Sequence, residues 1–151
     1  IIESTCPVGT TDKVYKYIQE KTNLGLEDIK LAYCPERVLP GKILEELISN
    51  DRIIGGINNK SAESAKNLYS LFCRGNLIKT NSKTAEFVKL SENIFRDVNI
   101  ALSNELEFIS DKLDLDIREV ISYANTQKRI NFLNPTTGVG GHCIAVDPWF
   151  I

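Results

Sequence analysis

The sequence predicts an α/β chain in two parts: the C-terminal part of a mostly parallel sheet, then a mainly α-helical part with one long helix. Three observations predict it. Strand-like runs alternate with helix-period runs up to about residue 80, the pattern of βαβ units. From Ser82 to about Leu113 no glycine or proline interrupts the chain. Past Asn125 the composition shifts to Asn, Thr, Pro and Gly, which marks a loop. The expected parts are residues 1–80 and 81–151.

Ile1-Ile2-Glu3-Ser4-Thr5 reads as the end of a strand, broken by Pro7 and Gly9. Thr10 or Thr11 can cap a helix, because a hydroxyl there accepts from the free amides of the first turn. Val14, Tyr17 and Ile18 give that helix its apolar spacing, and Asn23 and Gly25 stop it. Ile29 to Tyr33 is a second strand, ended by Cys34-Pro35. Residues 35–43 form a loop, and Leu44 to Ile48 a short helical piece. Arg52-Ile53-Ile54-Gly55-Gly56 is a third strand. Ser61 opens a helix carrying Ala62, Ala65, Leu68, Tyr69 and Phe72, and Leu77 to Lys79 is a fourth, short strand. The next helix carries Val88, Leu90, Ile94, Phe95, Val98, Ala101, Leu102, Leu106, Ile109 and Leu113. At ~30 residues it far exceeds the mean of ~11–12. A helix apolar on more than one side fits a subunit interface; the alternative is burial within one chain. Asp116-Ile117-Arg118-Glu119 has capping-box form, with Ile117, Val120, Ile121 and Ala124 expected inward.

The net charge is −2, with 25% charged and 42% apolar residues, an ordinary globular composition and too apolar for a disordered chain. Lysines and arginines are scattered, so neither nucleic acid nor an anionic membrane is expected as a partner. No apolar run approaches the ~20 residues of a membrane helix. Cys6, Cys34, Cys73 and Cys143 are widely spaced and form no CxxC pair. They read as reduced thiols of a cytoplasmic protein. A zinc site from Cys34, Cys73, His142 and Cys143 lacks metal-ligand spacing, so no metal is expected. The chain has no methionine, opens on Ile1-Ile2 and stops on Pro148-Trp149-Phe150-Ile151. It is therefore expected to be an internal segment of a longer protein.

Three constellations can carry chemistry. Gly138-Val139-Gly140-Gly141-His142-Cys143-Ile144-Ala145-Val146-Asp147 is the most informative. Its glycines let a ligand approach the main chain, and exposed amides can receive an anion such as a pyrophosphate. If Cys143 begins a helical turn, Asp147 falls on the same side, and a helix N-terminus would favour thiolate. The alternative is a tight turn before a buried cysteine, with His142 a structural histidine. Lys89 and Asn93 lie i, i+4 on the long helix and project to one face. Lys89 can hold an anionic oxygen there, or simply snorkel. Thr5-Cys6-Pro7-Val8-Gly9 and Cys34-Pro35-Glu36-Arg37 each follow a strand, at the end where parallel sheets place ligands. Glu36 could be a general base or hold a water, or either stretch could be only a loop.

Together these stretches resemble the UDP-glucose/GDP-mannose dehydrogenase family. The matching segments are Ser4-Thr5-Cys6-Pro7-Val8-Gly9-Thr10, Tyr33-Cys34-Pro35-Glu36-Arg37, Lys89-Leu90-Ser91-Glu92-Asn93, and Phe132-Leu133 leading into Gly138-Val139-Gly140-Gly141-His142-Cys143 and Asp147. Their order and distances match along essentially the whole chain. Within the family, Glu36-Arg37-Val38-Leu39-Pro40-Gly41-Lys42, Asn50-Asp51-Arg52-Ile53-Ile54-Gly55-Gly56, Phe95-Arg96-Asp97-Val98-Asn99-Ile100-Ala101 and His142-Cys143-Ile144-Ala145-Val146-Asp147-Pro148-Trp149-Phe150 look like the branch acting on UDP-N-acetyl-D-mannosamine.

The resemblance implies a Rossmann-like NAD-binding domain, of which residues 1–80 would be the C-terminal half, and a central helical dimerisation domain over 81–151. The family's GxGxxG loop is absent from this sequence. The implied cofactor is NAD, and the implied reaction is a double oxidation of a UDP-sugar C6 alcohol to the acid. By resemblance Cys143 is the nucleophile, and Lys89 and Asn93 stabilise the oxyanion. Glu36 and Asp147 serve thioester hydrolysis, and Thr5 touches cofactor or water. Thr5, Glu36 and Cys143 would lie along the cofactor. Arg37, Arg129, Phe132, Leu133, Gly138, Gly140 and Gly141 would hold the UDP-sugar. The expected partner is a second copy, through the long helix.

Other readings stay open. Within the family the sugar could be that of a UDP-glucose 6-dehydrogenase or of another UDP-hexosamine dehydrogenase. A two-domain NAD enzyme of the hydroxyacid or 6-phosphogluconate dehydrogenase kind also places a Lys and an Asn four apart on a long helix, but needs no cysteine. The chain by itself could instead be a folded, dimerising piece without activity.

Overall fold

Arg52-Ile53-Ile54-Gly55-Gly56 alternates its isoleucines between two faces, and it forms the middle strand of a three-stranded sheet. The computed structural model describes residues 1–25 and 27–151. It divides into two units, residues 1–90 with 150–151, and residues 91–149.

In the first unit the elements run α1 (Thr10–Thr22), β1 (Ala32–Tyr33), α2 (Ile43–Ser49), β2 (Arg52–Gly56), α3 (Asn59–Tyr69) and β3 (Leu77–Asn81). The sheet order is β1-β2-β3. β2 and β3 are parallel, with Ile54 opposite Lys79. β1 and β2 are antiparallel, with Ala32 opposite Gly56. Ile2 adds an isolated parallel bridge to Tyr33. The sheet is thus parallel at β2–β3 and at the Ile2 bridge, with one short antiparallel pair at β1–β2. α3 buries Ala62, Ala65 and Tyr69 and returns the chain as a crossover helix must. α2 buries no residue, so the link from β1 to β2 is not a packed crossover. β1 is also shorter than the expected Ile29–Tyr33 strand.

Side chains alternate across the pleat. Ala32, Cys34 and Ile54 face Ala65, Tyr69 and Cys73, with Leu77 against them. Tyr33 points the other way and packs with Cys6 and Ala85, with Ile2 and Ile53 beside them.

The cap of α1 differs from the expected threonine. Gly9 is the N-cap, at φ 91°, and no side chain of its own caps the helix. Instead the Glu86 carboxylate accepts from the amides of Gly9 (2.6 Å) and Thr11 (2.7 Å) and from the Thr11 hydroxyl (2.6 Å). A carboxylate offers two oxygens and about four acceptor sites where a hydroxyl offers two, and its charge strengthens each bond. The Thr10 hydroxyl donates back to the Pro7 carbonyl. At α3 the cap is Asn58, which accepts from the Ser61 amide at 2.7 Å. Ser61 thus sits inside the helix, and its hydroxyl accepts from the Leu31 amide.

α4 (Ser82–Lys112) is 31 residues long, as its unbroken pattern predicts. In the second unit α5 (Ile117–Ala124) follows. Asp116 caps it by accepting from the Arg118 amide at 2.8 Å. Glu119 does not complete the capping box: it accepts from the Tyr123 hydroxyl. Ile117 and Ile121 are buried, whereas Val120, expected inward, is exposed. The stretch of α4 in this unit is inverted in polarity. It buries Asn93, Ser103 and Ser110 while exposing Phe95, Val98, Leu102 and Ile109.

Candidate active site

The glycine segment ends in one helix-like turn. The Cys143 carbonyl accepts from the amides of Val146 (3.1 Å) and Asp147 (2.9 Å). A 3-10 helix, Asp147–Phe150, follows. This is the turn that places Cys143 and Asp147 four residues apart on one side, but it is not an α-helix N-terminus. Gly138 and Gly141 take φ of 152° and 120°, conformations that favour glycine. Gly140 needs no such freedom, and a Cβ on it would meet open space.

Of the four cysteines, all free, Cys143 is exposed and the other three are buried. Burial pushes the Cys6 and Cys34 thiols up, so both stay protonated core groups. The sulfur of Cys143 lies 3.9 Å from Nδ1 of His142. Asp147 is 7% exposed and Asn93 6%. Asn93 Nδ2 donates to Asp147 Oδ2 at 2.6 Å. A buried carboxylate left without such a donor costs about 1–3 kcal/mol.

In the first unit the Lys89 ammonium donates to the Glu36 carbonyl at 2.9 Å. One of its three protons is thereby engaged. The Glu36 carboxylate turns onto its own loop and accepts from the Val38 amide. Arg37 donates to the Asp51 carbonyl at 3.2 Å. The amides of Asn76 hold the Asp51 carboxyl below its usual range. Thr5 is half-buried, and its hydroxyl meets no partner among the described residues.

Phe132 and Leu133 lie half-buried in the second unit, their backbone held by side-chain amides of Asn125 and Asn99. Arg129 is exposed. Among the described residues, no group of three or more His, Cys, Asp or Glu could hold a metal ion. Among them no helix is long and apolar enough to cross a membrane.

Sequence reasoning did not single out Glu86, Asn99, Asn104 or Asn125. Glu86, fully buried, had one signal: a carboxylate beside Ala85, three residues before Lys89. Asn99 and Asn104 had none, because a polar residue on a long helix ordinarily faces solvent, and Asn125 reads only as the residue after which the loop begins.

The central domain model of the UDP-glucose/GDP-mannose dehydrogenase family matches residues 83–151, and that family's NAD binding domain model matches residues 1–73. The chain belongs to this family. It is 58% identical to the UDP-N-acetyl-D-mannosamine dehydrogenase of Methanococcus aeolicus, over all of this chain and 34% of that protein. It is 52% identical to the NDP-N-acetyl-D-galactosaminuronic acid dehydrogenase of Ralstonia solanacearum, over all of this chain and 38% of that protein. Among solved structures, the UDP-D-ManNAc dehydrogenase of Pyrococcus horikoshii superimposes with a TM-score of 0.97 at 46% identity, over 99% of this chain and 36% of that one. The chain spans about a third to two-fifths of the length of these relatives.

Proposed function

We propose that this chain carries catalytic residues of an NAD-dependent UDP-sugar 6-dehydrogenase, which oxidises the C6 alcohol of UDP-N-acetylmannosamine to the uronic acid. The exposed Cys143, one backbone turn from an Asp147 held by Asn93, carries the reading. The names of the relatives support the sugar.

The residues present fit a nicotinamide. Thr5 keeps a half-buried hydroxyl with unspent hydrogen-bonding capacity, suited to a neutral carboxamide, and it would hold the cofactor with Glu36 and Cys143. NAD+ supplies the hydride acceptor for each of the two oxidations. The chain's own groups do the rest. The Cys143 thiolate adds to the C6 aldehyde: a C–S bond forms and the carbonyl electrons move onto oxygen. Lys89 and Asn93 donate to that oxyanion; each has protons left beyond its present bond. After the second oxidation the sugar is a thioester on Cys143. Water attacks it, Asp147 or Glu36 takes the proton, and the C–S bond breaks to return the thiolate.

Arg37 and Arg129 suit phosphate oxygens, as guanidinium groups do. Phe132, Leu133 and the Gly138, Gly140 and Gly141 stretch would hold the sugar nucleotide. The apolar stripe of Phe95, Val98, Leu102 and Ile109 on α4 would seat a second copy. The protein would act in the cytoplasm, where its free thiols persist. Residues 1–80 would belong to the NAD domain and 81–151 to the central one.

Alkylation tests the reading in a protein of the relatives' full length carrying this sequence. Iodoacetamide should modify Cys143 and abolish NAD+ reduction, and a UDP-sugar should protect. Full activity after Cys143 is alkylated would point instead to an enzyme of the 6-phosphogluconate dehydrogenase kind.

A further inference from the structure

The stretch 131–136 has no helix or strand of its own, yet five of its main-chain groups are hydrogen-bonded by side-chain amides. Asn99 on α4 donates to the Asn131 carbonyl at 2.8 Å and accepts from the Leu133 amide at 2.9 Å. Asn125, at the end of α5, accepts from the Phe132 amide at 2.8 Å and donates to the Phe132 carbonyl at 2.9 Å. Asn104 on α4 accepts from the Thr136 amide at 2.8 Å. A primary amide offers a donor and an acceptor side by side, as a peptide group does. Asn99 and Asn125 each use both, and so replace the strand partner this segment lacks.

The next stretch is the opposite. Among the described residues the amides of Val139, Gly140, Gly141 and His142 have no acceptor. The segment is therefore clamped up to Thr136 and open beyond Gly138. The Thr136 hydroxyl, donating to the Gly138 carbonyl at 2.6 Å, marks the changeover. With the Asn93–Asp147 bond, α4 holds this part of the chain through three side chains.

Resting on the proposed function, we infer that Asn99 and Asn125 are positioning residues for the nucleotide-sugar. They spend both main-chain groups of Phe132 and the amide of Leu133 on the clamp. Main-chain donors to the substrate's phosphate or sugar oxygens thus come not from these two residues but from 139–142. The clamp fixes where those donors stand. It acts on sugar-nucleotide affinity and leaves NAD+ affinity untouched.

The test uses the full-length protein and Asn99→Ala, Asn99→Asp and Asn125→Ala. Amide hydrogen exchange should show Phe132 and Leu133 protected in the wild type. Leu133 should lose protection in Asn99→Ala, and Phe132 in Asn125→Ala. The KM for the UDP-sugar should rise about tenfold, since small displacements of binding groups cost this much or more, while the KM for NAD+ stays unchanged. Asn99→Asp keeps the acceptor for Leu133 and loses the donor to Asn131, so it should fall between wild type and Asn99→Ala. It also serves where the alanine variant does not fold. Retained protection in the alanine variants overturns the clamp. Lost protection with unchanged UDP-sugar KM overturns the positioning role. Protected amides in a wild type that turns over no UDP-sugar overturn the functional reading, and the positioning role with it.

Discussion

The side-chain amide of Asn93 donates to the carboxylate of Asp147 at 2.6 Å, across 54 residues of sequence, and both groups are almost fully buried. That bond joins α4 to the residue that closes the cysteine turn. Asn93→Ala leaves a buried carboxylate without this donor. We expect a loss of about 1–3 kcal/mol in folding stability, measured by urea unfolding. A loss under about 0.5 kcal/mol, the range of ordinary surface changes, would mean that Asp147 finds another donor.

Glu86 ties α4 to the start of α1 through three bonds. Glu86→Ala should cost about 2 kcal/mol or more, as an N-cap and a buried charged acceptor are lost together. Glu86→Gln should be little better, because its NH2 group replaces one of the two oxygens and would face the amide of either Gly9 or Thr11, itself a donor. Thermal unfolding of both variants checks this. A melting point unchanged in Glu86→Gln would show that one neutral oxygen suffices.

Cys143 is exposed and its sulfur contributes nothing to a core. Cys143→Ser should stay within about 0.5 kcal/mol of wild-type stability and bind the UDP-sugar. It should form no uronic acid. Acid production at the wild-type rate would remove Cys143 from the chemistry.

Tyr69 donates to Glu3 at 2.6 Å. Burial, then this bond, raises its pKa well above the ordinary 10.0; burial likewise raises Cys34 above 9.0. These groups lose their protons in the unfolded chain first. Their contribution is full below those ordinary values and is lost as pH rises above them. Stability should therefore fall on the alkaline side, beginning near pH 9.0. Tyr69→Phe should flatten the fall above pH 10.0, in unfolding curves taken along a pH series. An identical slope in both proteins would exclude Tyr69 as a source.

Much of this was legible in the sequence, for identifiable reasons. α4 could be read because thirty-one residues without glycine or proline admit one regular structure. The Cys143–Asp147 turn was legible only as a condition: the four-residue spacing puts both on one side if Cys143 begins a helical turn, and glycines before it leave the backbone too free to decide that. The antiparallel β1–β2 pairing was hidden, because nothing local marks α2 as a helix that fails to pack on the sheet. The Glu86 cap was hidden by distance: its partners lie 75 and 77 residues away. The Asn99 and Asn125 clamp depends on tertiary placement that side-chain type does not announce.

The central claim is that Cys143 supports two successive oxidations at one carbon. Counting NADH against sugar in the full-length protein, across a panel of UDP-hexosamines and UDP-glucose, tests it most directly. The account predicts two NADH per UDP-N-acetylmannosamine, with one uronic acid formed. One NADH per sugar with an aldehyde or ketone product, or no reduction with any UDP-sugar, would contradict it.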